Sequence, residues 1–124
     1  MTPQEIKDVL STYTGTGGYY RVSPSIPNVV ATDGAIRMAE LCGAYWLLDV
    51  IASHMPSVSA KECFCVARLC KRGKRWEFML ADDFPAEIIY ATQTIEASDF
   101  PLDEIKLYVS RQGDGWVILL PSEY

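Results

Sequence analysis

Residues 43–52 read Gly-Ala-Tyr-Trp-Leu-Leu-Asp-Val-Ile-Ala, an almost uninterrupted apolar run of helical length with one carboxylate, Asp49, in its middle. Apolar residues recur at three- and four-residue spacing across residues 36–50, which is typical of a helix with a buried face. The run predicts a central buried helix. Gly43 either divides the segment into two helices or permits close approach of another backbone, and Pro56 ends it,.

Helix-start signals precede this run at two places. Residues 2–5, Thr-Pro-Gln-Glu, form a capping box and predict a helix that stops near Thr14,. Residues 32–34, Thr-Asp-Gly, predict the cap and first turn of a second helix,. Residues 15–31 are rich in glycine and proline and show neither helical nor strand periodicity, so we expect a loop there,.

After Ser57 the apolar period changes from 3.6 to 2. Residues 62–70 and 75–81 alternate on either side of a glycine-containing loop, which predicts a β-hairpin,. A two-residue loop formed by Arg72 and Gly73 would set its register. The expected pairs are Leu69 with Trp76, Ala67 with Phe78, Cys65 with Leu80, and Arg68 with Glu77.

Three further strands are predicted at residues 87–95, 105–110 and 116–120,. A turn centred on residues 113 and 114 joins the last two. It would place Val109 opposite Ile118 and Leu107 opposite Leu120.

Helices followed by a run of strands are typical of an α+β layer sandwich. We therefore predict one α+β domain over residues 1–124, with a helical and loop part at residues 1–56. This part would pack on one face of a five-stranded antiparallel β-meander at residues 62–120.

The charge of the chain is unevenly distributed. The net charge is -5, but residues 1–75 hold nine Lys and Arg against six Asp and Glu, and residues 76–124 hold two against ten. An acidic carboxy-terminal half disfavours a dedicated nucleic-acid binder and permits a protein partner with a basic surface. The longest apolar run is too short for a membrane span, and the amino terminus lacks the features of a signal peptide, so we expect a cytoplasmic protein.

The four cysteines, Cys42, Cys63, Cys65 and Cys70, are expected to be reduced, buried small hydrophobes,. Cys63 and Cys65 would project from one face of a strand, whereas Cys70 would project from the other. Three sulfurs therefore do not converge, and we expect no metal and no cofactor.

A catalytic interpretation of Asp49 competes with a structural one. A carboxylate in an apolar setting can serve as a general acid or base, and His54 and Cys42 complete an imaginable catalytic set. We favour an Asp49 that faces outward or accepts hydrogen bonds, and a His54 that ends the helix. The glycine-rich residues 15–18 lack the lysine of a phosphate-binding loop and are interpreted as a flexible loop,. We predict no catalytic residue.

Two sets of residues are candidates for contacts with a partner. Tyrosines beside the glycine-rich loop and carboxylates of the acidic half form the candidate protein-contact set: Tyr13, Tyr19, Tyr20, Asp82, Asp83, Glu87, Glu96, Asp99, Asp103 and Glu104,. The basic hairpin tip forms an alternative nucleic-acid contact: Arg68, Lys71, Arg72, Lys74 and Arg75,. The tip would lie at the same end of the sheet as the last four carboxylates, so the two clusters can also pair with each other.

Several segments carry a resemblance: residues 32–34, 43–49 (Gly-Ala-Tyr-Trp-Leu-Leu-Asp), 51–53, 93–102 and 120–124 (Leu-Pro-Ser-Glu-Tyr). Through them the chain resembles a family of small uncharacterised bacterial, phage and mobile-element proteins, a domain of unknown function. The resemblance implies a genomic setting of prophages and plasmids, and it transfers no catalytic residues.

The first functional hypothesis is a non-enzymatic binding protein of a phage or mobile element. It would inhibit a host defence complex such as a CRISPR effector by presenting carboxylates where phosphates would lie. The alternatives are a nucleic-acid contact module that uses the basic tip and a small enzyme that uses Asp49. A homodimer formed through an exposed sheet edge is a further interaction open to the chain.

Overall fold

The structure, a computed structural model, describes residues 1–15 and 17–124. Thr16, which belongs to the glycine-rich loop expected above, lies outside the described residues. The helices are α1 (Pro3–Ser11), α2 (Asp33–Cys42) and α3 (Tyr45–His54), with 3-10 turns at Met55–Ser57 and Pro121–Glu123. The strands are β1 (Tyr19–Ser23), β2 (Ile26–Thr32), β3 (Phe64–Arg72), β4 (Arg75–Ala81), β5 (Ile89–Ile95), β6 (Glu104–Gln112) and β7 (Gly115–Leu119).

The strands form one seven-stranded mixed sheet in the order β1-β2-β7-β6-β3-β4-β5. The predicted five-stranded antiparallel meander is therefore wrong, although the α+β class is right. Two features overturn it: β2 pairs with β7 in parallel, and β6 pairs with β3 rather than with β5. A meander has no crossover connections. This sheet has one from β2 through α2 and α3 to β3, and another from β5 to β6.

The crossover has a physical reason in the burial of β3 and β5. Residues on both faces of β3 are buried, among them Cys65, Val66 and Ala67, and such a strand needs a partner at each of its edges. β5 has polar, exposed residues in its second half. It therefore lies at the edge of the sheet, while the alternating strand β6 takes the place beside β3,.

Residues 15–31, expected to be a loop, contain most of the β1–β2 hairpin. The sequence did not indicate this hairpin because Pro24 and Pro27 interrupt the alternating pattern that is typical of strands. Pro27 is tolerated because it lies near the start of β2, ahead of Val29, where the pairing with β7 begins,. The remainder of β2, Val-Val-Ala-Thr, has the β-branched composition of an interior strand,.

The helix signals are confirmed. The amide of Glu5 donates to Thr2 Oγ1 at 3.1 Å and the amide of Thr2 donates to Glu5 Oε1 at 3.1 Å, which completes the capping box. α1 nevertheless ends at Ser11, short of the predicted end. Gly43 ends α2 in the left-handed region with φ +60°, so it divides the predicted segment into two helices,.

The core lies on one face of the sheet, which we name the helix face. Leu47, Leu48 and Ile51 of α3 are at most 2% exposed and belong to the same core as buried residues of α1, α2 and five strands. This confirms the predicted buried helix. The opposite side of the sheet, which we name the outer face, carries no helix among the described residues. Of the described helices, none is both long and apolar enough to cross a membrane.

The two predicted hairpins differ in accuracy. In the β3–β4 hairpin, Arg72 pairs with Arg75 and Leu69 with Phe78, so the predicted register is wrong by two residues. The reason is that the first loop position of this turn has a positive φ, which residues other than glycine adopt only with strain. Gly73, with φ +65°, therefore takes that position. The β6–β7 register is confirmed by the pairing of Val109 with Ile118, although β7 ends before Leu120.

Candidate functional site: a groove on the outer face

Two adjoining clefts of about 420 and 320 Å³ lie along β7. Both clefts are lined by Tyr19, Gln112 and Val117. Because Val117 pairs with Val30 and alternates with the core residue Ile118, the shared floor lies on the outer face,. We name this feature the tyrosine groove and define it by Tyr19, Val30, Val117, Leu119 and Tyr124.

The walls of the tyrosine groove are aromatic. Tyr19, the first residue of β1, is 51% exposed, and Tyr124 is 73% exposed. The Tyr124 ring packs against Phe64 at 5.1 Å and against Tyr108 at 5.4 Å between centroids. Phe64 and Tyr108 are themselves 5.1 Å apart in an edge-to-face contact, so three aromatic rings hold this wall in place,.

Glu123 anchors the same wall to the start of α2. Its carboxylate accepts hydrogen bonds from Thr32 Oγ1 at 2.7 Å, from the amide of Leu120 at 2.9 Å and from the amide of Gly34 at 3.2 Å. A Cβ atom at Gly34 would collide with this carboxylate, so a side chain there would displace Glu123 from these hydrogen bonds. Sequence reasoning missed Glu123. The Pro-Ser-Glu run at residues 121–123 signals a turn, but not its partners across the chain.

The three candidate tyrosines do not share one location. Tyr13 is half-buried against the core, whereas Tyr19 lies in the groove. Tyr20, which alternates with Tyr19, is 48% exposed, and its hydroxyl bonds to Asp33, so that carboxylate raises the pKa of the Tyr20 hydroxyl. Asp33 Oδ2 also accepts from the amide of Gly17 at 2.9 Å, which ties the glycine-rich loop to the start of α2.

The carboxylates between β4 and β5 have different roles. Asp82 Oδ1 accepts hydrogen bonds from the amides of Asp83, Glu87 and Ile88 at 2.9 to 3.0 Å. The bond from Ile88 is the main reason that the pKa of Asp82 lies below its usual value. Asp82 therefore shapes its own loop, whereas Asp83 and Glu87 are exposed.

The basic tip and the acidic β5–β6 loop are close enough to form ion pairs. Arg75 lies 3.2 Å from Glu96 and Arg68 lies 3.8 Å from Glu104, as the self-pairing interpretation expects. Arg72 pairs with Glu77 at 2.9 Å. The backbone amide of Lys71 donates a hydrogen bond to the carbonyl oxygen of Asp103. Lys74 and Asp99 are exposed. These exposed pairs add little stability, but they neutralise much of the positive tip.

Residues of the imagined catalytic set are dispersed. Asp49 is exposed on α3, whereas Cys42 is buried. His54 Nε2 lies 2.7 Å from Gln93 Oε1 of β5, and its ring stacks on Phe78 at 5.6 Å. His54 thus ends α3, as predicted, and also joins it to the sheet. Over the chain without residue 16, no three His, Cys, Asp or Glu side chains are grouped to hold a metal ion.

All four thiols are free, and three of them are buried. Cys63 is the exception to the predicted burial, because it lies just before β3. Desolvation raises the pKa of Cys42 to about 11 and that of Cys65 to about 12, and it also raises the pKa of Cys70.

These differences predict selective thiol labelling. Because the thiolate is the reactive form, we expect Cys63 alone to react rapidly with a thiol reagent in the folded protein at about pH 8. Mass spectrometry of peptides from native and urea-unfolded protein measures this. Equal rates for Cys63 and Cys65 in the folded protein would contradict the assignment.

Fold and site together define a small α+β protein with an aromatic-walled groove on the outer face of its sheet. The chain belongs to a family of unknown function, DUF6876, whose model matches residues 4–124. The comparison with curated proteins found no match. A solved structure described as a protein of unknown function from Enterococcus faecalis is similar at 14% identity and a TM-score of 0.49. The alignment covers 86% of this chain and 98% of that one.

Proposed function

We propose that this protein is a non-catalytic binding protein that holds a segment of a partner protein in the tyrosine groove. The observation that carries the proposal is the groove itself, in which exposed Tyr19 and Tyr124 flank an apolar floor of Val117 and Leu119. Tyrosine offers a large contact area, a hydroxyl for hydrogen bonding and a small loss of conformational entropy. Aromatic residues of this kind are enriched in the centres of protein interfaces.

The charge of the chain indicates a partner with a basic surface. The net charge is -5, and the exposed carboxylates Asp83, Glu87 and Asp99 have no ion pair within the described part of the chain. A negative field of this kind increases the association rate with a positive partner and disfavours an acidic one. We therefore propose that the acidic loops select a basic partner and that the tyrosine groove provides most of the contact area with it.

We also propose a biological setting for this binding protein. A small acidic binding protein suits a phage or mobile element that acts in the host cytoplasm, and its partner would be a host defence complex such as a CRISPR effector. The carboxylates would compete with phosphates for a basic channel. The resemblance of the helix and carboxy-terminal segments to phage and mobile-element proteins supports this setting.

The alternatives have weaker support. Arg68, Arg72 and Arg75 of the basic tip already face carboxylates, which reduces the charge available for a nucleic-acid backbone,. Asp49 lies exposed on α3, outside the groove. A salt-dependent gel shift tests the first alternative, and an Asp49→Asn variant tests the second.

A matched pair of tyrosine variants tests the proposal. We expect Tyr19→Ala to reduce recovery of a specific partner from host lysate at least about tenfold, the effect of losing a central aromatic contact. Tyr45→Ala is the control, because Tyr45 is 52% exposed but lies on α3, away from the groove. Quantitative mass spectrometry of the captured proteins gives the readout, and thermal unfolding checks that both variants fold.

The identity of the protein that depends on Tyr19 decides the finer proposal. A defence or nucleic-acid enzyme with a basic channel supports the proposed setting. Equal recovery of every captured protein by wild type, Tyr19→Ala and Tyr45→Ala would overturn the groove as the binding site.

A further inference from the structure

The two edge strands of the sheet differ in how well they are protected from pairing with another strand. β1 has five residues, includes Arg21, and has an irregular register between Arg21 and Ser23. Short length, charge and irregularity are the devices by which proteins blunt an edge. β5 has seven residues, Ile-Tyr-Ala-Thr-Gln-Thr-Ile, without a charge or a proline. Its one irregularity lies near its start, opposite Leu80 and Ala81.

The β5 edge is also accessible. β4 is the only strand that pairs with β5 in the described sheet, so one side of its backbone is left without a strand partner. Thr92, Gln93 and Thr94 are exposed along it, and at its start Ile88 and Ile89 are 51% and 53% exposed. Two adjacent exposed isoleucines beside an open, uncharged edge are what a further strand would cover.

We propose that β5 pairs with β5 of a second copy of this chain, antiparallel and about a two-fold axis, so that one sheet continues through both copies. An isologous interface must be complementary to itself. The strand Ile89–Ile95 meets this condition, because none of its seven residues carries a charge. Threonines paired across such an axis favour the association. The same strand offers no charge by which a foreign acidic or basic segment would be selected.

The expected dimer is weak. Pairing over seven residues makes a small interface of the weak, transient class,. We therefore expect a dissociation constant on the order of 10 to 100 μM. The interface lies at the opposite edge of the sheet from Tyr19 of β1. Dimerisation therefore leaves the tyrosine groove open, and the two proposals fail independently.

Sedimentation equilibrium of the whole chain at increasing concentration tests the pairing. We expect wild type to change from monomer to dimer within this range. The double variant Thr92→Lys and Thr94→Lys places two lysines in the centre and second half of β5. We expect it to raise the dissociation constant at least about tenfold. Thr14→Lys with Ser57→Lys is the matched control, since both positions are exposed and lie outside the sheet.

Each outcome decides the proposal. Loss of the dimer in the β5 variant, with the dimer retained in the control and both variants folded by circular dichroism, supports it. A wild type that stays monomeric to about 1 mM, well above the expected dissociation constant, overturns it and leaves the edge to a foreign strand. A dimer that the β5 lysines do not weaken also overturns it.

Discussion

Phe78→Ala is expected to lower the free energy of unfolding by about 3 to 5 kcal/mol, the usual cost of truncating a fully buried aromatic side chain. Phe78 is 1% exposed on the helix face of β4 and meets the ring of His54 at the end of α3. Leu47 and Ile51 of α3 lie in the same cluster. Removal of the Phe78 ring leaves a cavity between α3 and the sheet, so both the apolar transfer energy and the packing contacts of the ring are lost.

Urea unfolding followed by tryptophan fluorescence and circular dichroism measures this loss. Tyr45→Ala is again a suitable control, because the exposed tyrosine of α3 contributes little and its loss should change stability by at most about 0.5 kcal/mol. If Phe78→Ala costs less than about 1 kcal/mol at an unchanged denaturant slope, the buried contact between α3 and β4 is not as described.

Gly115→Ala is expected to destabilise the protein by about 1 to 3 kcal/mol, because overpacking forces the backbone to shift. A Cβ atom at Gly115 would collide with the carbonyl oxygen of Asn28, whose carbonyl carbon is 3.3 Å away. These residues lie where β2 approaches β7, the parallel pair that the predicted meander lacked. A methyl group at this point pushes the two strands apart.

The control for this prediction is Gly15→Ala. Nothing lies within 4 Å of a Cβ atom at Gly15, so alanine there should leave stability unchanged or raise it slightly by restricting the unfolded chain,. The same unfolding measurement applies to both variants. A Gly115→Ala protein as stable as Gly15→Ala would contradict the close approach of β2 to β7.

Local signals predicted much of the helical part. The capping box of α1 and the Thr32 cap each act within a few residues, so their geometry is visible in the sequence. Gly43 left two outcomes open, a break between helices or a close backbone approach, and the structure shows the break. The β6–β7 register followed for the same reason, because a tight turn fixes the pairs beside it,. The predicted β3–β4 register was wrong because the sequence allows two loops, residues 72–73 or residues 73–74, which differ in whether Gly73 is the second or the first loop residue.

The site was harder to predict than the fold. Tyr19 was selected as a contact residue from its neighbours in the sequence, and the structure places it in the groove. Tyr124 and Glu123 were not selected, because their partners Phe64, Tyr108 and Thr32 are distant along the chain. Such contacts exist only once the sheet has formed.

The sequence by itself determined where α1 and α2 start, the buried face of α3 and the α+β class, because apolar periodicity and capping depend on residues a few positions apart. Tertiary structure alone decided that β2 joins β7 in parallel, that β6 lies beside β3, and that β5 is left at an edge. Strand order depends on which long-range pairing buries the most apolar surface, since every possible neighbour offers the same backbone hydrogen bonds.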